Sequence, residues 1–210
     1  MFITFEGPEG SGKSSQIVAL TEYLCHSGYD VLTTREPGGT SISEQIRAVL
    51  MDLQNTDMQP RTEILLFQAS RAQLVEQVLR PHLAKNGVVL CDRFADSTLA
   101  YQGYGYQLNL DQLRALIEFA TGGLKPDLTL LLDLDVEVGL GRRAKGGEWN
   151  RLDALQMAFY RRVRTGYHEL VQAEPQRWVV IDAEQPPDQV QAAIRKVVIE
   201  RLERGAGKGV

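Results

Sequence analysis

Five short apolar runs limit what this 210-residue sequence can fold into. Each is rich in leucine or β-branched residues and ends close to a polar residue or a glycine, and they occupy positions 2–5, 31–34, 88–91, 128–132 and 178–181. The longer stretches between them carry apolar residues at helical spacing, as at Ile17, Leu20 and Leu24. Because strands that alternate with helices pair in parallel and are covered on both faces, the pattern predicts an α/β fold around a parallel sheet.

The length and charge of the chain limit the number of domains and the classes of partner that we expect. No Pro/Gly/Ser-rich linker divides the chain, which predicts one domain over residues 1–210 with a flexible tail from about residue 204. The formal net charge of -4 argues against a nucleic-acid-binding face. Cys25 and Cys91 offer no disulfide framework, and no run reaches the roughly 18 apolar residues of a membrane span, so we expect a cytoplasmic protein without nucleic-acid or membrane partners.

The segment after the first apolar run has the spacing of a phosphate-binding loop. Gly7, Gly12, Lys13 and Ser14 fit the pattern G-x-x-x-x-G-K-[ST], between a predicted strand and an amphipathic helix. In such a loop the backbone N–H groups bind phosphate oxygens, the lysine reaches the outer phosphates and the serine hydroxyl ligates Mg²⁺. A glycine-rich turn that merely starts a helix is the alternative. The predicted triphosphate site comprises Gly7, Pro8, Glu9, Gly10, Ser11, Gly12, Lys13, Ser14 and Ser15.

An acid and a guanidinium, Asp92 and Arg93, follow the third apolar run. Since the carboxyl ends of parallel strands share one edge of a sheet, both side chains are expected beside the bound phosphates. A strand-end aspartate can orient Mg²⁺ and its waters, and an arginine can clamp a phosphate with two hydrogen bonds. A local salt bridge at a strand end is the alternative.

The remaining polar candidates carry less information. His26, His82 and His168 lack the spacing of metal ligands, so we expect surface or hydrogen-bonded histidines. Asp133 ends the fourth apolar run, where capping the next helix is the expected role. The sequence contains no guanine-reading N-K-x-D segment, which argues against a GTPase switch.

Residues 90–102, Leu-Cys-Asp-Arg-Phe-Ala-Asp-Ser-Thr-Leu-Ala-Tyr-Gln, resemble the signature segment of thymidylate kinases. Residues 2–10, 34–40 and 65–71 are similar to the start, the second-strand loop and the thymine-reading helix of that family, so the match spreads over most of the chain. The resemblance implies the three-layer P-loop NTPase fold. In that fold a five-stranded parallel sheet carries helices on both faces and a small lid, with sites for ATP and dTMP.

The resemblance also implies an acceptor site. Phe67 would stack on thymine, and Arg71, one helical turn further on, would donate to a thymine carbonyl. Glu9 would address the sugar 3′-hydroxyl, and Tyr101 would pack against the deoxyribose. From the residues alone, core packing is the simpler role for Phe67. For Arg35, Glu36 and Arg47, a solvated loop charge remains the alternative. The implied dTMP site comprises Glu9, Arg35, Glu36, Arg47, Phe67, Arg71, Arg93, Thr98, Tyr101 and Gln102.

Residues 141–153 combine glycines with several cations, which predicts a mobile lid that closes over two mutually repelling phosphates. The phosphate loop contains no arginine, so the resemblance implies the bacterial type, in which the lid supplies a catalytic arginine. Arg142, Arg143, Lys145 and Arg151 are the lid cations, and a solvated basic loop is the alternative. The implied catalytic set is Lys13, Asp92, Arg93, Arg143 and Arg151, with Ser14 and Asp92 at the metal.

The resemblance implies an ATP:dTMP phosphotransferase that forms dTDP, needs Mg²⁺, has no covalent enzyme intermediate and assembles as a homodimer. Two alternatives remain open. A kinase for another nucleoside monophosphate or a deoxynucleoside would share the donor loop, and a regulatory nucleotide-binding module would bind ATP without transferring its phosphoryl group.

Overall fold

The structure is a computed structural model that describes residues 1–145 and 156–206. All five predicted strands are confirmed, and each extends one residue further than its apolar run, to a charged residue. They are β1 (Phe2–Glu6), β2 (Val31–Arg35), β3 (Val88–Asp92), β4 (Leu128–Asp133) and β5 (Trp178–Asp182). All pairings are parallel, in the order β2-β3-β1-β4-β5.

The helices of the described ranges cover both faces of this sheet. They are α1 (Lys13–His26), α2 (Ser41–Met51), α3 (Pro60–Leu74), α4 (Arg80–Leu83), α5 (Ala95–Thr98), α6 (Leu110–Thr121), α7 (Val136–Lys145), α8 (Met157–Ala173) and α9 (Pro187–Ala206). A π-helical turn over Val75–Leu79 joins α3 to α4, and a second one over Leu99–Gly105 continues α5. Widened turns of this kind are frequent at functional sites, and the second one contains two predicted dTMP residues.

Side-chain alternation along the strands divides the core into two layers. Ile3 and Phe5 point to the layer that contains α1 and α9, whereas Phe2 points to the opposite layer. On β4, Leu130 belongs to the first layer and Leu131 to the second. Because both faces are covered, the strands are apolar throughout rather than alternating between apolar and polar residues.

The carboxyl edge of the sheet brings the strand-end charges together. Asp92 lies in register with Phe5 of β1 and with Arg35 of β2. Ligands of open α/β sheets bind at this edge, so the strand order places the loops after β1, β2 and β3 around one site.

Two boundaries differ from the sequence-based expectations. Residues 141–145 of the expected lid form the last part of α7, while residues 146–153, including Arg151, lie outside the described ranges. Helix α9 continues to Ala206, so residues 204–206 of the expected tail are helical. In the part of the chain that is described, no helix has the length and apolar character needed to cross a membrane.

Candidate active site

The loop between β1 and α1 holds the Lys13 ammonium against its own backbone. Lys13 Nζ donates to the carbonyl oxygens of Gly7 and Pro8, each at 3.1 Å, and to Ser11 Oγ at 3.2 Å. Gly12 starts the helix with φ at +84°, a left-handed conformation that favours glycine. Burial, assisted by the nearby Arg93 charge, lowers the pKa of Lys13 to about 8. The lysine therefore remains mostly protonated at neutral pH and is held against the oxygen atoms of the loop.

Ser14 connects the phosphate loop to β3. Its Oγ donates to Asp92 Oδ2 at 2.7 Å, and both residues line the same cleft. A hydroxyl and a carboxylate oxygen are the hard oxygen ligands that Mg²⁺ prefers, and Mg²⁺ takes few protein ligands when substrate phosphates supply the rest. Among the described residues no cluster of three or more His, Cys, Asp or Glu could hold a metal by itself. The pair Ser14 and Asp92 thus fits a magnesium ion that arrives with a nucleotide.

Arg93 occupies the centre of the site. Its backbone has φ at +66°, which is uncommon for a residue with a side chain. Nη2 donates to Glu9 Oε1 at 2.7 Å and to the Tyr101 hydroxyl at 2.9 Å, while Nη1 donates to Ser97 Oγ at 3.3 Å and to the Tyr167 hydroxyl at 3.2 Å. These contacts fix the cation where donor and acceptor loops meet.

Glu9 is an anion inside the phosphate loop, and the structure shows how it is tolerated. Its Oε1 accepts hydrogen bonds from Arg93 and from the Tyr101 hydroxyl, the latter at 2.9 Å. Burial alone would raise the pKa of Glu9, but the charges of Arg93 and Lys13 and the Tyr101 bond hold it below its ordinary value. Glu9 is therefore ionised at neutral pH and links the donor loop to the acceptor side.

Glu6, the last residue of β1, lies fully buried behind Arg93. Its Oε1 accepts from the Phe94 backbone N–H at 2.8 Å, and its Oε2 accepts from the hydroxyls of Ser97 and Tyr167 at 2.5 and 2.8 Å. Burial, with the nearby Asp96 charge, raises the pKa of Glu6 to about 7. The sequence pattern assigns no role to Glu6, and nothing in the pattern of α8 identifies Tyr167.

Arg71 forms the buried centre of the acceptor half. Its guanidinium contacts Glu36 Oε2 at 2.6 Å, and it donates to Gln68 Oε1 at 2.9 Å, Thr98 Oγ1 at 3.1 Å and the Phe94 carbonyl at 3.0 Å. Glu36 Oε1 is buried and takes no hydrogen bond from the described residues. Burial raises the pKa of Glu36, although the Arg71 charge opposes that change. The ion pair between Arg71 and Glu36 holds the Arg71 guanidinium at the cleft wall.

Two predicted phosphate-binding arginines stand at the outer rim. Arg35 pairs with Glu44 at 3.0 Å, and both side chains are about half exposed. Arg47 donates to the Pro37 carbonyl at 2.9 Å. Burial, together with the Arg35 charge, lowers the pKa of Arg47. Both cations line the cleft.

The predicted triphosphate and dTMP sites open into one cleft of about 510 Å³. Gly7 and Pro8 are buried behind it and supply carbonyl oxygens to Lys13. The predicted site residues that line it are Glu9, Gly10, Ser11, Gly12, Lys13, Ser14, Ser15, Arg35, Glu36, Arg47, Phe67, Arg71, Asp92, Arg93, Thr98, Tyr101, Gln102 and Arg143. The structure thus brings together almost all residues that the sequence proposed, and Phe67 lies in the cleft wall rather than in the core.

The end of α7 approaches the same cleft. Arg142 lines it and donates to the Ala183 carbonyl after β5 at 2.8 Å, and the Arg143 charge acts on Glu9.

The expected helix-capping role of Asp133 is wrong. Asp135 accepts from the Glu137 N–H at 2.9 Å, whereas Asp133 binds Arg164 of α8 through two bonds of 2.9 Å.

The chain is similar in sequence to a known protein family. Residues 5–194 match the family model described as thymidylate kinase. The chain belongs to the thymidylate kinase family. Curated thymidylate kinases from Herpetosiphon aurantiacus and Deinococcus radiodurans are 52% and 50% identical to it, over 208 and 201 residues. These matches cover 87% and 96% of this chain, and 88% and 97% of the relatives.

The fold agrees with that family. A crystal structure of thymidylate kinase from Ehrlichia chaffeensis superposes with a TM-score of 0.79 at 34% identity, covering 94% of this chain and 98% of that one. The predicted P-loop NTPase fold with a five-stranded parallel sheet is therefore confirmed. Other thymidylate kinases match at similar identity, such as the Exiguobacterium protein at 50% over 205 residues.

Proposed function

We propose that this chain transfers the γ-phosphoryl group of ATP to dTMP, giving ADP and dTDP for dTTP synthesis. The observation that carries the proposal is one cleft lined both by the phosphate loop and by the Phe67, Arg71 and Gln102 side chains. Membership of the thymidylate kinase family supports the same reaction. Neither alternative, a kinase for another acceptor or a regulatory nucleotide-binding module, is favoured by a specific observation.

The donor phosphates bind at residues 7–15 in this proposal. The backbone N–H groups at the N-terminus of α1 donate hydrogen bonds to the phosphate oxygens, and Lys13 exchanges its loop carbonyls for the outer phosphates. Ser14 would hold a magnesium ion, with Asp92 nearby, and the ion would supply positive charge to the phosphates. Arg142 lies beside the Ala183 carbonyl, at the side of the cleft proposed for the adenosine.

The acceptor binds across the cleft with its base toward α3. Phe67 offers an aromatic face for stacking, and Arg71, Thr98 and Gln102 supply polar groups at the base edge. Tyr101 and Glu9 are already joined by a hydrogen bond, which places a ring and a carboxylate together for the deoxyribose. Arg35, Glu36 and Arg47 form the proposed surroundings of the dTMP phosphate.

In the proposed step, an oxygen of the dTMP phosphate attacks the γ-phosphorus of ATP. The bond from that phosphorus to the β,γ-bridging oxygen breaks, and ADP leaves with the bridging oxygen. The acceptor is already an anion, so catalysis rests on positioning and on stabilising charge. Lys13, Arg93 and the lid cations Arg143 and Arg151 supply that charge, and Asp92 orients the donor side.

A homodimer is part of the proposal. Exposed apolar side chains occur on α2, α3 and α6, and α3 packs against both of the other helices. We name this surface the α2–α3–α6 face and define it by Ile42, Val49, Leu65 and Phe119, of which Phe119 is 90% exposed. Apolar side chains gathered on neighbouring helices are typical of interaction surfaces.

The proposed location is the cytoplasm. Both cysteines are free thiols, and Cys25 is exposed. Free thiols persist in reducing compartments, which supports this location.

A coupled assay of ADP release over a panel of acceptors tests the proposed reaction. The panel contains dTMP, dUMP, dCMP, dGMP and thymidine, each with ATP and Mg²⁺. We expect dTMP to give the highest kcat/KM. A preference for another acceptor would overturn the substrate assignment, and ATP binding without transfer to any member would favour the regulatory module.

A further inference from the structure

A buried carboxylate contacts one of the proposed base-binding amides. Glu63 on α3 is 1% exposed and Gln102 in the π-helical turn is 3% exposed. Gln102 Nε2 donates to Glu63 Oε1 at 2.8 Å. The two residues are 39 positions apart in the sequence, and sequence reasoning gave Glu63 no role.

This contact fixes which way round the Gln102 amide sits. An amide side chain carries a donor and an acceptor on two branches, and the two orientations have nearly the same shape. Here the Nε2 branch is the donor to Glu63 Oε1, and the same oxygen would repel the Oε1 branch, because both are acceptors. Glu63 therefore keeps the carbonyl oxygen of Gln102 as the atom available to a ligand in the cleft.

The neighbouring Thr98 offers the complementary group. Its Oγ1 accepts from Arg71 Nη1 at 3.1 Å and from Gln68 Nε2 at 3.4 Å, so among the described residues its hydroxyl hydrogen remains to donate. Thr98 and Gln102 lie one helical turn apart on the segment that lines the cleft. The base pocket consequently combines a fixed donor with an acceptor of fixed orientation.

That combination distinguishes thymine from cytosine. Thymine carries an N3–H donor next to its O4 acceptor, whereas cytosine carries an N3 acceptor next to its N4 donor. We propose that Glu63 is a positioning residue that selects thymine over cytosine, because it holds the Gln102 carbonyl oxygen toward N3–H. The inference rests on the proposed function and extends it to the choice of base. A site whose polar groups are fixed rejects the wrong base more strongly than one whose amide can turn over.

The variant Glu63→Gln tests this orientation directly. A glutamine at 63 fills nearly the same space but can accept from Gln102 or donate to it, so the amide loses its preferred direction. We expect the ratio of kcat/KM for dTMP to that for dCMP to fall about tenfold or more, the size of effect that one buried hydrogen bond produces. The KM for dTMP should rise, while kcat with dTMP and the KM for ATP change little.

A reciprocal exchange separates orientation from packing. In Glu63→Gln/Gln102→Glu the glutamine at 63 donates to a carboxylate at 102, whose second oxygen again presents an acceptor. We expect this pair to recover the preference for dTMP over dCMP that the single variant loses. If the single variant does not fold, as judged by its thermal transition, the exchanged pair carries the test because it keeps the buried hydrogen bond.

The matched control is Glu76→Gln, the same substitution on the π-helical turn after α3, where Glu76 is exposed and pairs with Arg80. It should leave the dTMP to dCMP ratio at the wild-type value. An unchanged ratio in Glu63→Gln, or an exchanged pair that folds but shows no preference, would overturn the inference. Failure of the wild-type protein to phosphorylate dTMP at all would instead count against the proposed function.

Discussion

At the scale of single residues, the position of Glu9 poses a question of charge. A carboxylate beside a polyphosphate is unfavourable unless it has another task, and here it binds Arg93 and Tyr101 on the acceptor side. For Glu9→Gln we expect kcat/KM for dTMP to fall about 10-fold to 100-fold, because hydrogen bonds to charged groups contribute about 1.5–3 kcal/mol. The affinity for ATP should change little, as measured by steady-state kinetics and by nucleotide binding.

The control for this charge change is Glu22→Gln, since Glu22 is exposed on α1. It should match the wild type for both substrates. Equal losses for dTMP and ATP in Glu9→Gln would show that Glu9 supports the loop as a whole and does not serve the acceptor.

A second residue, Glu6, makes a prediction about pH. Its pKa is raised from 4.5 to about 7, first by burial and then by Asp96, while Arg93 opposes the change. The folded protein thus holds the Glu6 proton more tightly than the unfolded chain does. The resulting stabilisation is full below about pH 4.5 and is lost as the pH rises through about 7, with a total of about 3 kcal/mol.

Comparison with Glu6→Gln isolates this contribution, because Glu36, whose pKa is also raised, is present in both proteins. Urea unfolding at pH 5, 6, 7 and 8 would measure the free energy of unfolding of each. Between pH 5 and pH 8 the wild type should lose about 2.5 kcal/mol of unfolding free energy relative to the variant, most of it before about pH 7. Parallel curves for the two proteins would contradict the titration assigned to Glu6.

At the scale of secondary-structure elements, the phosphate loop and α7 meet through backbone. A Cβ added at Gly139 would overlap the Glu9 carbonyl, and one added at Gly10 would overlap the Gly139 carbonyl. Because α7 leads to the expected lid, this close approach joins the donor loop to the lid helix. We expect Gly139→Ala to displace the loop and lower kcat/KM for ATP about 10-fold to 100-fold, as small misplacements of catalytic groups do.

Gly141→Ala provides a matched control two positions along the same helix, where an added Cβ meets no atom within 4 Å. It should raise stability slightly, by up to about 1 kcal/mol, since alanine favours helix over glycine. Its effect on kcat/KM should be much smaller than that of Gly139→Ala. Comparable kinetics for the two variants would show that the backbone contact does not govern the loop.

The elements also show how much the sequence could predict. Local patterns located all five strands and the phosphate loop, because an apolar run or a glycine spacing depends on neighbouring residues alone. Family resemblance located Phe67, Arg71 and the segment after β3. Neither could find Tyr167 behind Glu6 or Glu63 behind Gln102, since these contacts join positions 161 and 39 residues apart. Helical periodicity likewise cannot predict the π-helical widening over Leu99–Gly105.

At the scale of the whole molecule, the cleft is assembled from elements that are far apart in the sequence. The cleft walls come from the loops after β1, β2 and β3, from α3 and from α7. The α2–α3–α6 face is continuous with this site through α3, which carries Phe67 and Arg71 as well as the exposed Leu65. An interface on that face would therefore stiffen the helix that we propose binds the base.

This arrangement predicts the effect of polar substitutions on assembly. Phe119→Ser and Leu65→Ser should convert the proposed dimer to a monomer at micromolar concentration, measured by light scattering coupled to size-exclusion chromatography.

Val180→Ser on β5 is the control, because Val180 is also exposed, at 44%, but lies outside the α2–α3–α6 face. Exposed substitutions change stability by about 0.5 kcal/mol or less, so each monomer should remain folded and the KM for dTMP should report the loss of support to α3. A wild-type protein that is monomeric over the whole concentration range would refute the dimer, whereas dissociation caused equally by Val180→Ser would place the interface elsewhere.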